Sequence, residues 1–152
     1  MKSTISLPLD DGFLRRECPN CHRPFKWHNG PTDARPDDFV DPKQYHCPYC
    51  GLQADVGSWF TQEQTGYISE IAGHEFSGMI EGELERAFKP LKNSDFISVS
   101  VDYKPEPKPR PLKEQADMTL VEPPCHPFEP LKVQEGWDLG LHCLVCGASF
   151  ST

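Results

Sequence analysis

Two short cysteine motifs decide the fold of the first third of this chain: Cys18-Pro19-Asn20-Cys21 and Cys47-Pro48-Tyr49-Cys50. Zn²⁺ takes four ligands in a tetrahedral arrangement, and cysteine thiolate is among its preferred ligands. A Cys-x-x-Cys turn places two sulfur atoms on one side of an ion, and a second such turn completes the set. These four cysteines therefore predict one structural zinc site.

A second zinc site is predicted near the C-terminal end, where Cys143 and Cys146 form another Cys-x-x-Cys motif. Its remaining ligands must come from upstream, where Cys125 and His126 are adjacent. Adjacent residues of a strand face opposite sides, so both can bind one ion only if the neighbouring prolines bend the chain. His142 and Glu129 are the competing choices for the fourth ligand. The predicted set is Cys125, His126, Cys143 and Cys146.

The N-terminal motifs resemble those of a known family. Cys18-Pro19-Asn20-Cys21 together with Tyr45-His46-Cys47-Pro48-Tyr49-Cys50-Gly51 resembles a zinc ribbon, the rubredoxin-like knuckle fold, over residues 13–57. The 25 residues between the two motifs predict a projecting loop or an extra turn. Zinc ribbons serve many different processes, so the resemblance implies a fold and a metal rather than an activity.

The motif Cys47-Pro48-Tyr49-Cys50 also matches the redox dithiol of glutaredoxins. Such a dithiol begins a helix, because the helix N-terminus lowers the thiol pKa. Here Gly51 and a short polar stretch follow, and the pattern of a βαβ unit is absent from the surrounding sequence. This context favours a metal knuckle over a redox site.

The composition indicates that bound metal, more than a large hydrophobic core, stabilises the fold. Only 37% of the 152 residues are hydrophobic, and 16 prolines and 11 glycines break the sequence into short pieces. Small modules of this kind usually need disulfides or metal. The sequence shows neither a secretory signal nor an apolar run long enough to span a membrane. We therefore predict a cytoplasmic protein whose seven reduced cysteines bind metal.

A central helix is predicted over residues 61–89. Thr61-Gln62-Glu63-Gln64 fits a capping box, and apolar residues follow at helical spacing as far as Phe88. Several glycines leave open whether the helix is continuous, and Pro90 is predicted to end it. Alternation predicts strands at Phe96–Tyr103 and at 118–121, separated by a stiff segment rich in proline and charge.

The predicted fold class is α+β, with two small zinc-stapled β modules flanking a central helical segment. We divide the chain into a four-cysteine ribbon (1–57), a helix and strand segment (58–103), a linker (104–116) and a C-terminal zinc-binding β module (117–152). The helix carries an acidic face, whereas the ribbon is locally basic.

The expected role is non-enzymatic, as an adaptor or regulatory partner in a larger protein assembly. One alternative is a nucleic-acid-binding ribbon that uses the basic and aromatic patch at residues 15–28, although a net charge of −8 opposes it. The least favoured alternative is a redox factor or metal-dependent enzyme, because neither a catalytic nor an organic-cofactor site can be identified. A protein partner and no membrane are expected, and the oligomeric state is not predicted.

Overall fold

The computed structural model describes residues 5–92 and 107–152, and within these ranges the fold is α+β with antiparallel sheets. The predicted strand Phe96–Tyr103 and the first residues of the linker, 104–106, lie outside the described residues. In chain order the elements are β1 (Phe13–Glu17), β2 (Pro24–His28), β3 (Gln44–His46), β4 (Gln53–Asp55), α1 (Gln62–Lys92), β5 (Met118–Val121), β6 (Leu131–Gln134), β7 (Leu141–His142) and β8 (Ser149–Phe150).

The chain forms two compact units. One comprises Met1–Ile5 with Glu63–Pro111 and contains nearly all of α1; the other comprises Ser6–Gln62 with Leu112–Thr152. The second unit, called the β unit below, contains the eight strands of the described ranges and all seven cysteines. The two cysteine-bearing ends, predicted from the sequence to be separate modules, both lie in the β unit.

A four-stranded antiparallel sheet with the order β1-β2-β6-β5 joins the two ends. β1 and β2 form one hairpin and β5 and β6 another, and β2 pairs with β6 through Lys26↔Lys132 and Trp27↔Leu131. An isolated hairpin is marginally stable, and each would expose an unpaired edge. The pairing of β2 with β6 covers one edge of each hairpin and leaves β1 and β5 as the outer strands. β3 with β4, and β7 with β8, form two further two-stranded sheets.

One face of the four-stranded sheet is apolar. Successive strand residues point to opposite faces, so Phe25 and Leu131 lie on the side away from the lysines of β2 and β6. Phe25 packs edge-to-face on Trp59 with ring centroids 5.8 Å apart, and both rings are fully buried. Leu141 and Leu144 belong to the same buried cluster, so residues from both ends of the chain share one core.

Tyr49, inside the second cysteine motif, connects that motif to both hairpins. Its hydroxyl donates a hydrogen bond to the Pro24 carbonyl oxygen (2.7 Å) and accepts one from the Gln134 N–H (2.9 Å). Burial raises the pKa of Tyr49 to about 12, so the hydroxyl stays protonated and able to donate at neutral pH. The motif is thereby held at the junction of β2 and β6.

The opposite face of the sheet carries a compact charge network. Lys26 is fully buried, and its Nζ lies 2.9 Å from Asp10, 3.0 Å from Glu114 and 3.3 Å from Asp117. Asp10 also pairs with Lys132 at 3.0 Å. Hydrogen bonds from the two lysines lower the pKa of Asp10. The network fastens two segments, around residue 10 and around residues 114–117, across this face.

Arg16 is buried without a carboxylate partner among the described residues. Only 4% of it is exposed, and its guanidinium lies 4.7 Å from the ring centroids of both Trp27 and Phe60. Its Nε has no hydrogen-bond partner, and burial lowers the pKa of Arg16 to about 10. Contact with two aromatic faces offsets part of the desolvation cost of this charge.

The helix α1 is continuous from Gln62 to Lys92, beginning directly after the predicted cap Thr61. The prediction that Pro90 ends the helix was wrong, since the helix continues past it to Lys92. A proline interrupts one hydrogen bond of a helix, and helix ends vary by one or two residues in any case. The helix itself was predicted from its apolar spacing and its capping residues.

Replacing Lys26 with alanine should strongly destabilise the β unit. The substitution removes the buried cation that Asp10 and Glu114 share, and only Lys132 and Arg15 remain to pair with them. Losing hydrogen bonds to charged groups typically costs about 1.5–3 kcal/mol. Denaturant unfolding at a fixed, saturating metal concentration measures the loss. The exposed Lys43→Ala variant is the control and should stay within about 0.5 kcal/mol of the unaltered protein. A Lys26→Ala loss no larger than that of the control would contradict a structural role for the network.

Candidate metal centres

The first predicted group, Cys18, Cys21, Cys47 and Cys50, is brought together by two turns of the β unit. Cys18 and Cys21 lie between β1 and β2, and Cys47 and Cys50 lie between β3 and β4. The four sulfur atoms all lie within 4.8 Å of one another. The Sγ–Sγ distance is 3.6 Å for Cys18 and Cys50 and 3.7 Å for Cys21 and Cys47. The group can hold a metal ion.

These distances test whether the group fits zinc. A tetrahedron with metal–sulfur bonds of about 2.3 Å has edges of about 3.8 Å, close to the two measured separations. A disulfide requires about 2.05 Å between sulfurs, far less than the structure shows. The spacing therefore suits a four-coordinate ion placed among unbonded sulfurs.

Backbone N–H groups point at the first sulfur of each motif. Tyr49 and Cys50 donate to Cys47 Sγ at 3.3 and 3.4 Å, and Asn20 and Cys21 donate to Cys18 Sγ at the same two distances. Such donors stabilise thiolates. Burial nevertheless raises the pKa of Cys47, since a lone buried thiolate is unfavourable. Metal binding at this group would therefore displace protons and weaken as the pH falls.

The second group comprises Cys125, His126, Cys143 and Cys146, whose ligand atoms also lie within 4.8 Å of one another. Cys125 Sγ is 3.4 Å from Cys146 Sγ, and Cys143 Sγ is 3.4 Å from His126 Nδ1. With a metal–nitrogen bond of about 2.0–2.1 Å, the sulfur–nitrogen edge of a tetrahedron is about 3.5 Å. This group can hold a metal ion as well.

The adjacent residues Cys125 and His126 reach one group because the chain turns there. The His126 N–H donates to the Pro123 carbonyl oxygen (3.2 Å), and the Glu129 N–H donates to the His126 carbonyl oxygen (3.0 Å). These turns bend the segment between β5 and β6, which removes the strand geometry that would separate the two side chains. Glu129, a competing ligand in the sequence analysis, is not in the group.

His142 lies outside the second group. Its backbone N–H donates to the Pro48 carbonyl oxygen at 2.8 Å, and its Nδ1 is 3.3 Å from the same oxygen. Its ring faces Gly51 of the first motif, where a Cβ atom would lie 3.2 Å from the imidazole. Of the two histidines that the sequence left in competition, the structure brings only His126 to the sulfur atoms.

The motifs Cys47–Cys50 and Cys143–Cys146 share the residues on either side of them as well. Both read His-Cys-x-x-Cys-Gly, at His46–Gly51 and at His142–Gly147, and we call them the N-terminal and C-terminal knuckles. In each, the glycine N–H donates to the carbonyl oxygen of the first cysteine, at 3.0 Å and 2.8 Å. The histidine that precedes both motifs is the sequence signal that could have identified His46 and His142 as structural residues of the knuckles.

The N-terminal knuckle does not have the setting of a redox dithiol. It connects β3 to β4 and is not followed by a helix, so neither sulfur gains a helix N-terminus. Cys47 and Cys50 instead face the sulfurs of Cys21 and Cys18. This arrangement favours the knuckle interpretation of Cys47-Pro48-Tyr49-Cys50.

Most of the basic patch at residues 15–28 is engaged within the chain. Arg15 pairs with Glu114 and Asp117 at 2.7 and 2.6 Å, and Lys26 and Arg16 are buried. The exposed Arg23 lies over an aromatic ring of the same unit. These contacts leave little free positive charge for a phosphate backbone, which counts against the nucleic-acid alternative.

Comparison with protein-family models, with curated protein sequences and with solved structures returned no match. Among the described residues, no helix is both long and apolar enough to cross a membrane. The class of protein therefore rests on the fold and the site geometry alone. The chain is an α+β protein with two sites, each able to hold a metal ion.

Replacing His126 with alanine should lower the metal content at saturating Zn²⁺ from about two ions per chain to about one, since it removes one of four ligands. His142→Ala should leave two ions bound under the same conditions, because that ring lies outside the group. Elemental analysis after gel filtration measures both. A loss of metal in the His142 variant alone would show that the wrong histidine had been assigned.

Proposed function

We propose that this protein is a structural zinc protein that acts as an adaptor or regulatory partner in a larger protein assembly. The observation that carries the proposal is that each site has a complete set of four protein ligands. Each offers four protein ligand atoms at the spacing of a tetrahedron. Catalytic zinc sites usually have three protein ligands and keep a fourth position open for water or substrate. Two complete sets therefore support a structural role.

Zinc is the metal that the ligand types favour. Cysteine thiolates select soft or borderline ions, and a set of three cysteines with one histidine is common for structural zinc. Iron can also occupy a four-cysteine site, so the identity of the metal is part of the proposal. The resemblance to zinc ribbons supports the same choice for the N-terminal group.

An exposed stripe on helix α1 supports the adaptor role. Phe76 and Met79 are 63% and 70% exposed, an unusual state for large apolar side chains. They are one helical turn apart, so they lie on the same face. Glu75 and Glu83 are exposed close to them in sequence. An apolar stripe beside acidic side chains suits a protein segment with apolar and basic residues.

Cys47→Ser should reduce the metal content by about one ion per chain and make residues 13–57 sensitive to protease. The binding free energy of a structural metal is also folding free energy, so losing a ligand unfolds what the metal holds. Limited proteolysis with and without a chelator measures this, and chelator-treated unaltered protein supplies the reference pattern. Equal resistance of both proteins, or purified protein without zinc, would contradict the proposed structural zinc.

The adaptor role predicts a partner that depends on the helical stripe. Pull-down from the source organism with quantitative mass spectrometry should recover a basic protein. Recovery should fall at least several-fold with Phe76→Ser combined with Met79→Ser, and should weaken as salt increases. Leu139→Ser is the matched control, since Leu139 is 64% exposed but belongs to the β unit. Recovery that is equal for all variants would contradict this docking surface.

A further inference from the structure

The N-terminal and C-terminal knuckles contact each other directly, through reciprocal hydrogen bonds. The His46 N–H donates to the Leu144 carbonyl oxygen at 2.8 Å, and the His142 N–H donates to the Pro48 carbonyl oxygen at 2.8 Å. Leu144 and Pro48 occupy the same position in their knuckles, directly after the first cysteine. The contact is therefore symmetric, and each knuckle supplies one donor and one acceptor.

The side chains repeat this exchange. The imidazole of His46 lies on Gly147, and that of His142 lies on Gly51. A Cβ atom at Gly147 would come within 2.7 Å of the His46 ring, closer than real Cβ contacts, so the ring rests on bare backbone. Both glycines have positive φ, +75° at Gly51 and +74° at Gly147, a backbone conformation in which a residue with a side chain is strained. Each histidine thus fits the shape that the other knuckle adopts.

That shape depends on the ligands of each site. Within a knuckle, the two cysteines flank the carbonyl that the other knuckle binds, and the glycine follows the second cysteine. A metal ion that joins both cysteines to the rest of their set holds this turn closed. Leu144 and Pro48 are both fully buried, so a loosened turn would also disturb the packing around its acceptor carbonyl. Metal binding at one site therefore stabilises the surface that the other knuckle contacts.

We propose that the two metal sites bind metal as a coupled pair, with His46 and His142 as the positioning residues that transmit the coupling. The inference rests on the proposed function, since it assumes that both sites bind metal. By reciprocity, each filled site raises the affinity of the other by the same factor. Coupling between protein sites is typically about 5–150-fold in affinity, and this is the range expected here.

The test measures one site while the other is disabled. Co²⁺ is the probe, since its visible absorption differs between four-sulfur and three-sulfur, one-nitrogen coordination. In Cys146→Ser, the four-cysteine site keeps all its ligands. Its affinity for Co²⁺ should nevertheless fall about 5–150-fold relative to the unaltered chain. An affinity unchanged within about twofold would overturn the coupling.

The role of the two histidines is tested by a double-mutant cycle. The cycle measures the ratio of the Co²⁺ affinities of the four-cysteine site without and with Cys146→Ser. This ratio should fall toward one when His46→Ala and His142→Ala are introduced together. His22→Ala is the matched control. Like His46 and His142, His22 is adjacent to a cysteine ligand, but its side chain is exposed and lies 3.9 Å from Glu17 of the same hairpin. The control should keep the full ratio. A ratio that survives in the double histidine variant would overturn the assigned route.

The outcomes separate this inference from the proposed function. Two metal ions bound independently would leave the structural zinc proposal standing and overturn only the coupling. Failure of the unaltered chain to bind metal at all would overturn both. The Cys146→Ser comparison decides the coupling by itself, even if the histidine variants fail to fold.

Discussion

The antiparallel pairing of β2 with β6 is the contact on which the β unit depends. It involves only two residue pairs, Lys26↔Lys132 and Trp27↔Leu131, yet it joins hairpins from opposite ends of the chain. Each face of this short junction is reinforced separately. Asp10 bridges the two lysines on one face, at 2.9 and 3.0 Å, while Leu131 enters the apolar cluster on the other. The junction brings together the two ends of the chain, which share the core and carry the two contacting knuckles.

The two halves of the β unit follow one plan, with one informative exception. Glu17–Phe25 reads Glu-Cys-Pro-Asn-Cys-His-Arg-Pro-Phe, and Glu122–Phe128 reads Glu-Pro-Pro-Cys-His-Pro-Phe. Cys18 and Pro123 are both fully buried, and each carbonyl accepts a hydrogen bond from the histidine of its segment, at 3.0 and 3.2 Å. Where the first segment has Cys18, the second has Pro123, and its histidine, His126, joins the ligand group instead.

Local sequence patterns predicted the parts of the structure that are local. The Cys-x-x-Cys motifs, the helix start at Thr61 and strand β5 all depend on neighbouring residues. The choice of His126 followed from the prolines that bend its segment. Pairing between β2 and β6 could not be predicted, because their partners are about a hundred residues apart and short strands carry little register information.

Lys26 shows why the charged side of the sheet was missed. In the sequence it is a basic residue between two aromatic ones, which usually indicates a solvated position on an alternating strand. Its acidic partners lie 16 residues before it, at Asp10, and about 90 residues after it, at Glu114 and Asp117. Local charge counting assigned it to a basic patch, whereas the fold neutralises it inside the protein.

In the sequence, α1 comes between the two hairpins, and this order has a consequence for synthesis. β2 leaves the ribosome roughly a hundred residues before β6, which at about 5–20 residues per second is about 5–20 s. During that time the free edge of β2 is a surface on which another nascent chain could add a strand. Asp10 precedes β2, so it can pair with Lys26 before Glu114 and Asp117 have been synthesised. During synthesis, therefore, the lysine of the first hairpin already has an acidic partner, whereas the edge of β2 stays unpaired until β6 is made.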